Sequence, residues 1–215
     1  MVSNRLVEIK TLQPLSLSAL LVGLAGMNAQ WHVLDPKFQE VILQNIFAIS
    51  QPAVGSFRTS AGMEQFVSNV IYSLGGMGAT ALELSDRELS ALFNLIRSTD
   101  SFSVHGLSMV VYGLAKMKVS WRRIPSPVQA ALAKNLLSIS FDSKRNSGSS
   151  NVQALSNILW GLGQMETVWV DFQGPGGDAV FAAARARIHH LLSAYATHMG
   201  DQGLSNSMLG LAKVS

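Results

Sequence analysis

The chain has 215 residues, of which 48% are hydrophobic and 13% charged, with a formal net charge of +3. Charged residues usually make up about 25% of a soluble domain, so much of this surface must be buried against other parts of the chain. The absence of cysteine excludes disulfides and thiolate metal sites, and no apolar run approaches the roughly 20 residues that a spanning helix needs.

From Met1 to Lys10 the residues Arg5, Glu8 and Lys10 interrupt the apolar positions, so no secretory signal is expected there. The first predicted element is Ser18-Ala-Leu-Leu-Val-Gly-Leu-Ala-Gly-Met27. The same phrase returns as Ser68-Asn-Val-Ile-Tyr-Ser-Leu-Gly-Gly-Met77 and Ser108-Met-Val-Val-Tyr-Gly-Leu-Ala-Lys-Met117. It returns again as Ser156-Asn-Ile-Leu-Trp-Gly-Leu-Gly-Gln-Met165 and Ser205-Asn-Ser-Met-Leu-Gly-Leu-Ala-Lys-Val214. The phrase ends stand 50, 40, 48 and 49 residues apart. Self-similarity at such periods marks a repeat architecture.

Each phrase reads as an amphipathic helix. In the fourth, Leu155, Ile158, Leu159, Leu162 and Met165 share one face. A short break follows, with Trp31, Trp121 or Trp169 in three of the units, and then a second helix. Asp35-Pro36 opens the first of these, with Asp as N-cap and Pro in the first turn. Ser85-Asp-Arg-Glu88 is a capping box, Ser126-Pro127 opens the third, and Asp178 opens the fourth after the turn Gly174-Pro-Gly-Gly177. The third carries the apolar stripe Val128, Leu132, Leu136, Leu137 and Ile139. The polar run Ser143 to Ser150 reads as a loop. Nothing reads as a strand.

The expected fold is therefore all-α: an α-solenoid of stacked helix-turn-helix repeats forming one domain over 1–215. The approximate repeats are 12–60, 61–100, 101–147, 148–200 and a partial 201–215. Two columns of small residues recur in the phrases: Gly23, Ser73, Gly113, Gly161 and Gly210, and Ala25, Gly75, Ala115, Gly163 and Ala212. Glycine inside a helix costs about 0.5–1 kcal/mol relative to alanine. Its recurrence predicts close approach of neighbouring phrase helices on both sides.

That packing leaves one stripe of each phrase helix uncovered. In the fourth unit it holds Gln153, Asn157 and Gln164, with Trp160 at its margin. The matching positions are Gln65, Asn69, Gly76 and Tyr72 in the second, and His105, Met109, Lys116 and Tyr112 in the third. The fifth has Gln202, Asn206, Lys213 and Leu209, and the first is apolar, with Leu15, Ala19, Gly26 and Val22. Amide side chains carry both donor and acceptor and suit the reading of base edges. Asn69, Asn157 and Asn206 share a register and could equally tie neighbouring helices in an amide ladder. The Tyr72, Tyr112, Trp160 column reads as packing ahead of base stacking.

Charge is uneven along the chain. Residues 1–100 hold six basic and eight acidic side chains, and residues 101–215 hold ten and five. The densest basic stretch contains Lys116, Lys118, Arg122, Arg123, Lys134, Lys144 and Arg145 against Asp142. Clustered positive charge is the footprint of a nucleic-acid binder, and a solvated helix edge is the alternative. No nucleophile elbow, phosphate-binding loop, zinc-protease or dinucleotide motif is present. His189 and His190 diverge by about 100° on a helix and do not converge on one metal.

The phrase Leu155-Ser-Asn-Ile-Leu-Trp-Gly-Leu-Gly-Gln-Met165 resembles the signature helix of octotricopeptide repeats, a group of organellar helical-repeat proteins, some carrying a RAP domain. That pattern has a Leu-Ala/Ser-Asn-x-Leu-Trp-Ala-Leu-Ala-Lys-Leu core. The fourth copy matches best, and the resemblance extends over nearly the whole chain. It implies a non-catalytic protein that binds single-stranded or ribosomal RNA in a mitochondrion, or alternatively a chloroplast. Some relatives are built into mitochondrial ribosomes, beside ribosomal proteins. It implies no cofactor and no small-molecule substrate. The chain departs from the pattern in its irregular spacing, in Val22 and Leu209 at the aromatic position, and in showing no RAP domain. Irregular spacing suits a structural RNA clamp better than a code of one base per unit. The RNA-contacting residues expected are Gln65, Asn69, His105, Met109, Lys116, Lys118, Arg122, Arg123, Lys144, Arg145, Gln153, Asn157, Gln164, Gln202, Asn206 and Lys213. The rival expectation is a protein-binding scaffold.

Overall fold

The computed structural model describes residues 12–51, 60–139, 148–167, 179–195 and 199–214. Among these residues it is all-helical. The phrase helices are α1 (Pro14–Gly26), α3 (Ser60–Gly76), α5 (Val104–Lys116), α7 (Gly148–Gln164) and α9 (Asp201–Val214). The second helices are α2 (Pro36–Ser50), α4 (Asp86–Ser98), α6 (Ser126–Ser138) and α8 (Ala179–Tyr195). Trp31–Val33 and Trp121–Arg123 form short 3-10 turns.

The phrase helices pack in chain order, α1 on α3, α3 on α5, α5 on α7 and α7 on α9. The second helices do the same, α2 on α4, α4 on α6 and α6 on α8. Both rows contribute to one apolar core, from Leu17, Leu21, Leu74 and Leu114 on the first row to Ile42, Leu92, Leu132 and Ile188 on the second.

The small-residue columns set the spacing of the first row. A Cβ on Gly75 would lie 2.6 Å from the carbonyl oxygen of Gly113, on the following helix. A Cβ on Gly113 would lie 2.5 Å from the carbonyl oxygen of Ile71, on the preceding one. Gly163 meets the backbone of Gly210, and Gly210 meets the carbonyl oxygen of Leu159 in turn. One column thus faces backward along the row and the other forward. Ser68 Oγ–H donates to the Gly106 carbonyl at 3.2 Å, and Gly75 meets Gly113 at the same sequence offset, so α3 and α5 run parallel. Gly23 begins the backward column, and a Cβ there would meet no described atom within 4 Å.

Four phrase helices end alike. The residue after the phrase-terminal Met takes a positive φ: Asn28 at 56°, Gly78 at 77°, Lys118 at 57° and Glu166 at 58°. In each the next two N–H groups fold back on the last turn, as when Lys118 N–H donates to Ala115 O and Val119 N–H to Leu114 O. This is the Schellman arrangement, which satisfies carbonyls that the helix end leaves open. The first three of these reversals then aim a peptide N–H at the next unit. Trp31 N–H donates to Met77 O at 2.7 Å, Ala81 N–H to Met117 O at 2.7 Å, and Trp121 N–H to Met165 O at 2.8 Å.

Three second-row helices, α2, α4 and α6, open where their sequence signals place them. Asp35 accepts from Lys37 N–H, and Ser85 with Glu88 forms the capping box. Ser126-Pro127 opens α6, with Pro125 at the cap position and no side-chain capping bond. Pro127 is as well placed at the second helical position as at the first, because neither N–H has an intrahelical acceptor. Asp178, Trp169 and the 143–147 part of the polar loop lie outside the described residues.

A buried asparagine fixes how the chain enters the phrase helix in two units. Asn135 Oδ1 accepts the N–H of Phe102 at 2.7 Å, while its amide donates to Ala131 O. Asn45 does the same for Leu12 and Val41 O. Asn135→Ala would leave the buried Phe102 N–H without its acceptor, at a cost of about 1–3 kcal/mol. Chemical denaturation should show that loss as an earlier midpoint with an unaltered slope; an unshifted midpoint would mean that water replaces the amide.

Candidate nucleic-acid interface

The face of the phrase helices turned away from the core holds most of the expected contact residues. Gln65 on α3, His105 and Lys116 on α5, Gln153 on α7, and Gln202 and Lys213 on α9 are exposed. Asn69, Met109, Asn157, Gln164 and Asn206 are half-buried on the same helices. Because these helices are parallel and in register, equivalent positions line up in rows crossing the helix axes.

One such row is aromatic. Tyr72, Tyr112 and Trp160 occupy the same phrase position on α3, α5 and α7. Their ring centroids are 5.8 Å apart for Tyr72–Tyr112 and 4.9 Å for Tyr112–Trp160, with planes tilted by 31° and 33°. Tyr72 is 41% exposed, and Tyr112 and Trp160 are half-buried. The row continues as exposed Val22 on α1 and Leu209 on α9. These rings pack on one another and still present surface to solvent. The Lys116 ammonium lies 5.5 Å from the Tyr112 ring centroid and 5.6 Å from that of Trp160, within cation–π range.

The asparagines do not form a ladder. Asn157 Oδ1 accepts from Gln153 Nε2 at 3.0 Å, within its own helix. Among the described residues, the side chains of Gln65, Asn69, Gln202 and Asn206 make no hydrogen bond. The one tie across helices in this set is Lys213 Nζ–H donating to Gln164 Oε1 at 3.0 Å.

The basic cluster is divided. Lys116 stands among the rings, whereas Lys118, Arg122 and Arg123 sit at the C-terminal edge of the helices, in the reversal and the 3-10 turn. There Arg123 donates to the Ala81 carbonyl at 3.2 Å and pairs with Asp86 at 3.3 Å. It ties the second reversal to the third, and its charge faces a carboxylate. Arg122 lines a small recess with Ser120, Met165 and Glu166. Lys144 and Arg145 lie outside the described residues.

Sequence reasoning missed one member of this face. Between α3 and α5 lies a groove of about 400 Å³ whose walls include Gln65, Asn69, His105 and Met109. Glu64 lines it too, accepting at Oε1 from Ser103 N–H at 2.9 Å and Ser103 Oγ–H at 2.6 Å. Only the glycine at position 106, packed against Glu64 and Ser68, hints at this arrangement in the sequence.

Among the described residues no group of three His, Asp or Glu side chains could hold a metal ion. No helix among them is long and apolar enough to cross a membrane. Comparison with known proteins finds no matching family model, no similar curated protein and no similar solved structure.

Proposed function

We propose that the chain is a non-catalytic RNA-binding protein with the architecture of an α-solenoid, and that it holds a single strand across its parallel phrase helices. The observation that carries this reading is the row Tyr72–Tyr112–Trp160 with Lys116 set over two of its rings. Binders of unpaired strands combine aromatic platforms, on which any base can stack, with cations that neutralise phosphate. The side-chain amides of Gln65, Asn69, Gln202 and Asn206, unpaired among the described residues, lie on the same face and offer donors and acceptors. The more specific reading is a component or partner of a mitochondrial ribosome that grips ribosomal RNA. It rests on the phrase's resemblance to octotricopeptide repeats, which applies equally to chloroplast relatives.

A salt titration tests the electrostatic part. For single strands the log–log dependence of affinity on salt falls by about 0.7 for each phosphate contact. Lys116→Ala should weaken binding to any unpaired RNA and flatten the slope by about that amount. A variant that binds with wild-type affinity and slope would remove the basic support. The exposed apolar residues Leu15 and Val22 at one end of the face, and Leu209 at the other, would then favour a protein partner.

A further inference from the structure

The groove between α3 and α5 is separate from the ring row and has its own chemistry. Its volume of about 400 Å³ falls in the range of small-ligand clefts, roughly 300–1,000 Å³. Gln65 and Asn69 bring amides with no hydrogen-bond partner among the described residues, and Met109 supplies a soft apolar wall. Glu64 is held in place by its two bonds from Ser103, both to Oε1. No described residue donates to Oε2. An open carboxylate oxygen in a recess favours a ligand that brings a donor, because burying it unmatched is costly. A phosphate oxygen is itself an acceptor and does not meet that need. A nucleobase with an exocyclic amino group does, since carboxylates accept from such groups at base edges. Uracil, with two carbonyls flanking its one edge N–H, presents mainly acceptors.

We infer that this groove takes one unpaired nucleobase and, through Glu64, selects adenine, cytosine or guanine over uracil. The inference rests on the RNA reading and adds a base preference at one place along the strand. Phosphate contacts by the lysines carry no base preference, and any preference from stacking strength on the ring row is modest and would survive in Glu64→Gln.

The test uses uridine oligomers about twelve nucleotides long, within the site sizes of single-strand binders. Each carries one central adenosine, cytidine, guanosine or uridine, and binding is read by fluorescence anisotropy. Wild-type protein should bind each of the three amino-bearing oligomers at least about fivefold more tightly than the all-uridine one, the lower end of discrimination by a good base-edge contact. Glu64→Gln retains an oxygen for Ser103 but turns the open acceptor into a donor, and should erase or invert the preference. Asn69→Ala, which breaks no internal hydrogen bond, should narrow it. If all four oligomers bind alike, or if the preference survives in Glu64→Gln, the groove inference is wrong. Oligomers that bind alike but weaken with Lys116→Ala would leave the RNA reading standing. Failure of every oligomer to bind would overturn both.

Discussion

Gly113→Ala should lower the melting temperature by about 2–12 °C, whereas Gly23→Ala, at the same place in the first phrase, should raise it. The new Cβ at position 113 would stand 2.5 Å from the carbonyl oxygen of Ile71. A backbone carbonyl in a packed helix cannot turn aside as a side chain can, so α3 and α5 must separate. Overpacking of this kind costs about 1–3 kcal/mol, and each kcal/mol shifts the midpoint of a 150–250-residue domain by about 2–4 °C. At Gly23 no described atom lies within 4 Å. There the substitution only trades glycine for a better helix former, a gain of about 0.5–1 kcal/mol. Gly161→Ala falls between the two, because its nearest neighbour at 2.7 Å is the Val111 Cγ1 methyl. Circular dichroism melts of the three variants measure the series. Equal shifts at 23 and 113 would show that helix propensity, not interhelical spacing, governs the column.

The second large effect concerns Tyr112, the middle ring of the row. Base–aromatic stacking is worth about 1–3 kcal/mol for each base by alanine substitution. Tyr112→Ala also breaks the contacts at 5.8 Å to Tyr72 and 4.9 Å to Trp160, so the platform loses its continuity. Affinity for unpaired RNA should fall roughly tenfold or more, a factor of ten being about 1.4 kcal/mol. Its salt slope should hold, because the ring carries no charge, whereas Lys116→Ala changes the slope. Filter binding across a salt series separates the two. A Tyr112→Ala protein that binds RNA like the wild type would reduce the ring row to packing.

The small-residue columns were legible because glycine in a helix interior is costly and its recurrence has few causes. Gly75, Gly113, Gly163 and Gly210 all lie where the periodicity places them, against neighbouring backbone. The caps at Asp35 and Ser85 were legible for a similar reason, since their side chains do a local job. The helix reversals were not. Gly78, and less strongly Asn28, advertise a positive φ, while Lys118 and Glu166 adopt it where the bonds that close each reversal form. The ring row was visible as a column, but whether it faces core or solvent depends on how far the second helices reach around the first. That is a tertiary fact. Arg123 was grouped with Arg122 by adjacency, and its partner Asp86 comes from another unit. The partner of Glu64, Ser103, likewise belongs to the next helix.

The three backbone bonds from Trp31, Ala81 and Trp121 all point one way, from an earlier reversal to a later phrase end. In a chain made from its N-terminus, each of these donors appears dozens of residues before its acceptor and stays open to water until the following helix docks. During synthesis a completed unit therefore still carries an unclosed latch for the next. In the mature protein the same asymmetry turns these amides into reporters. Deuterium uptake at residue 31 should follow local opening around Met77, and uptake at 81 and 121 should follow opening around Met117 and Met165, so that each amide records the stability of the neighbour downstream.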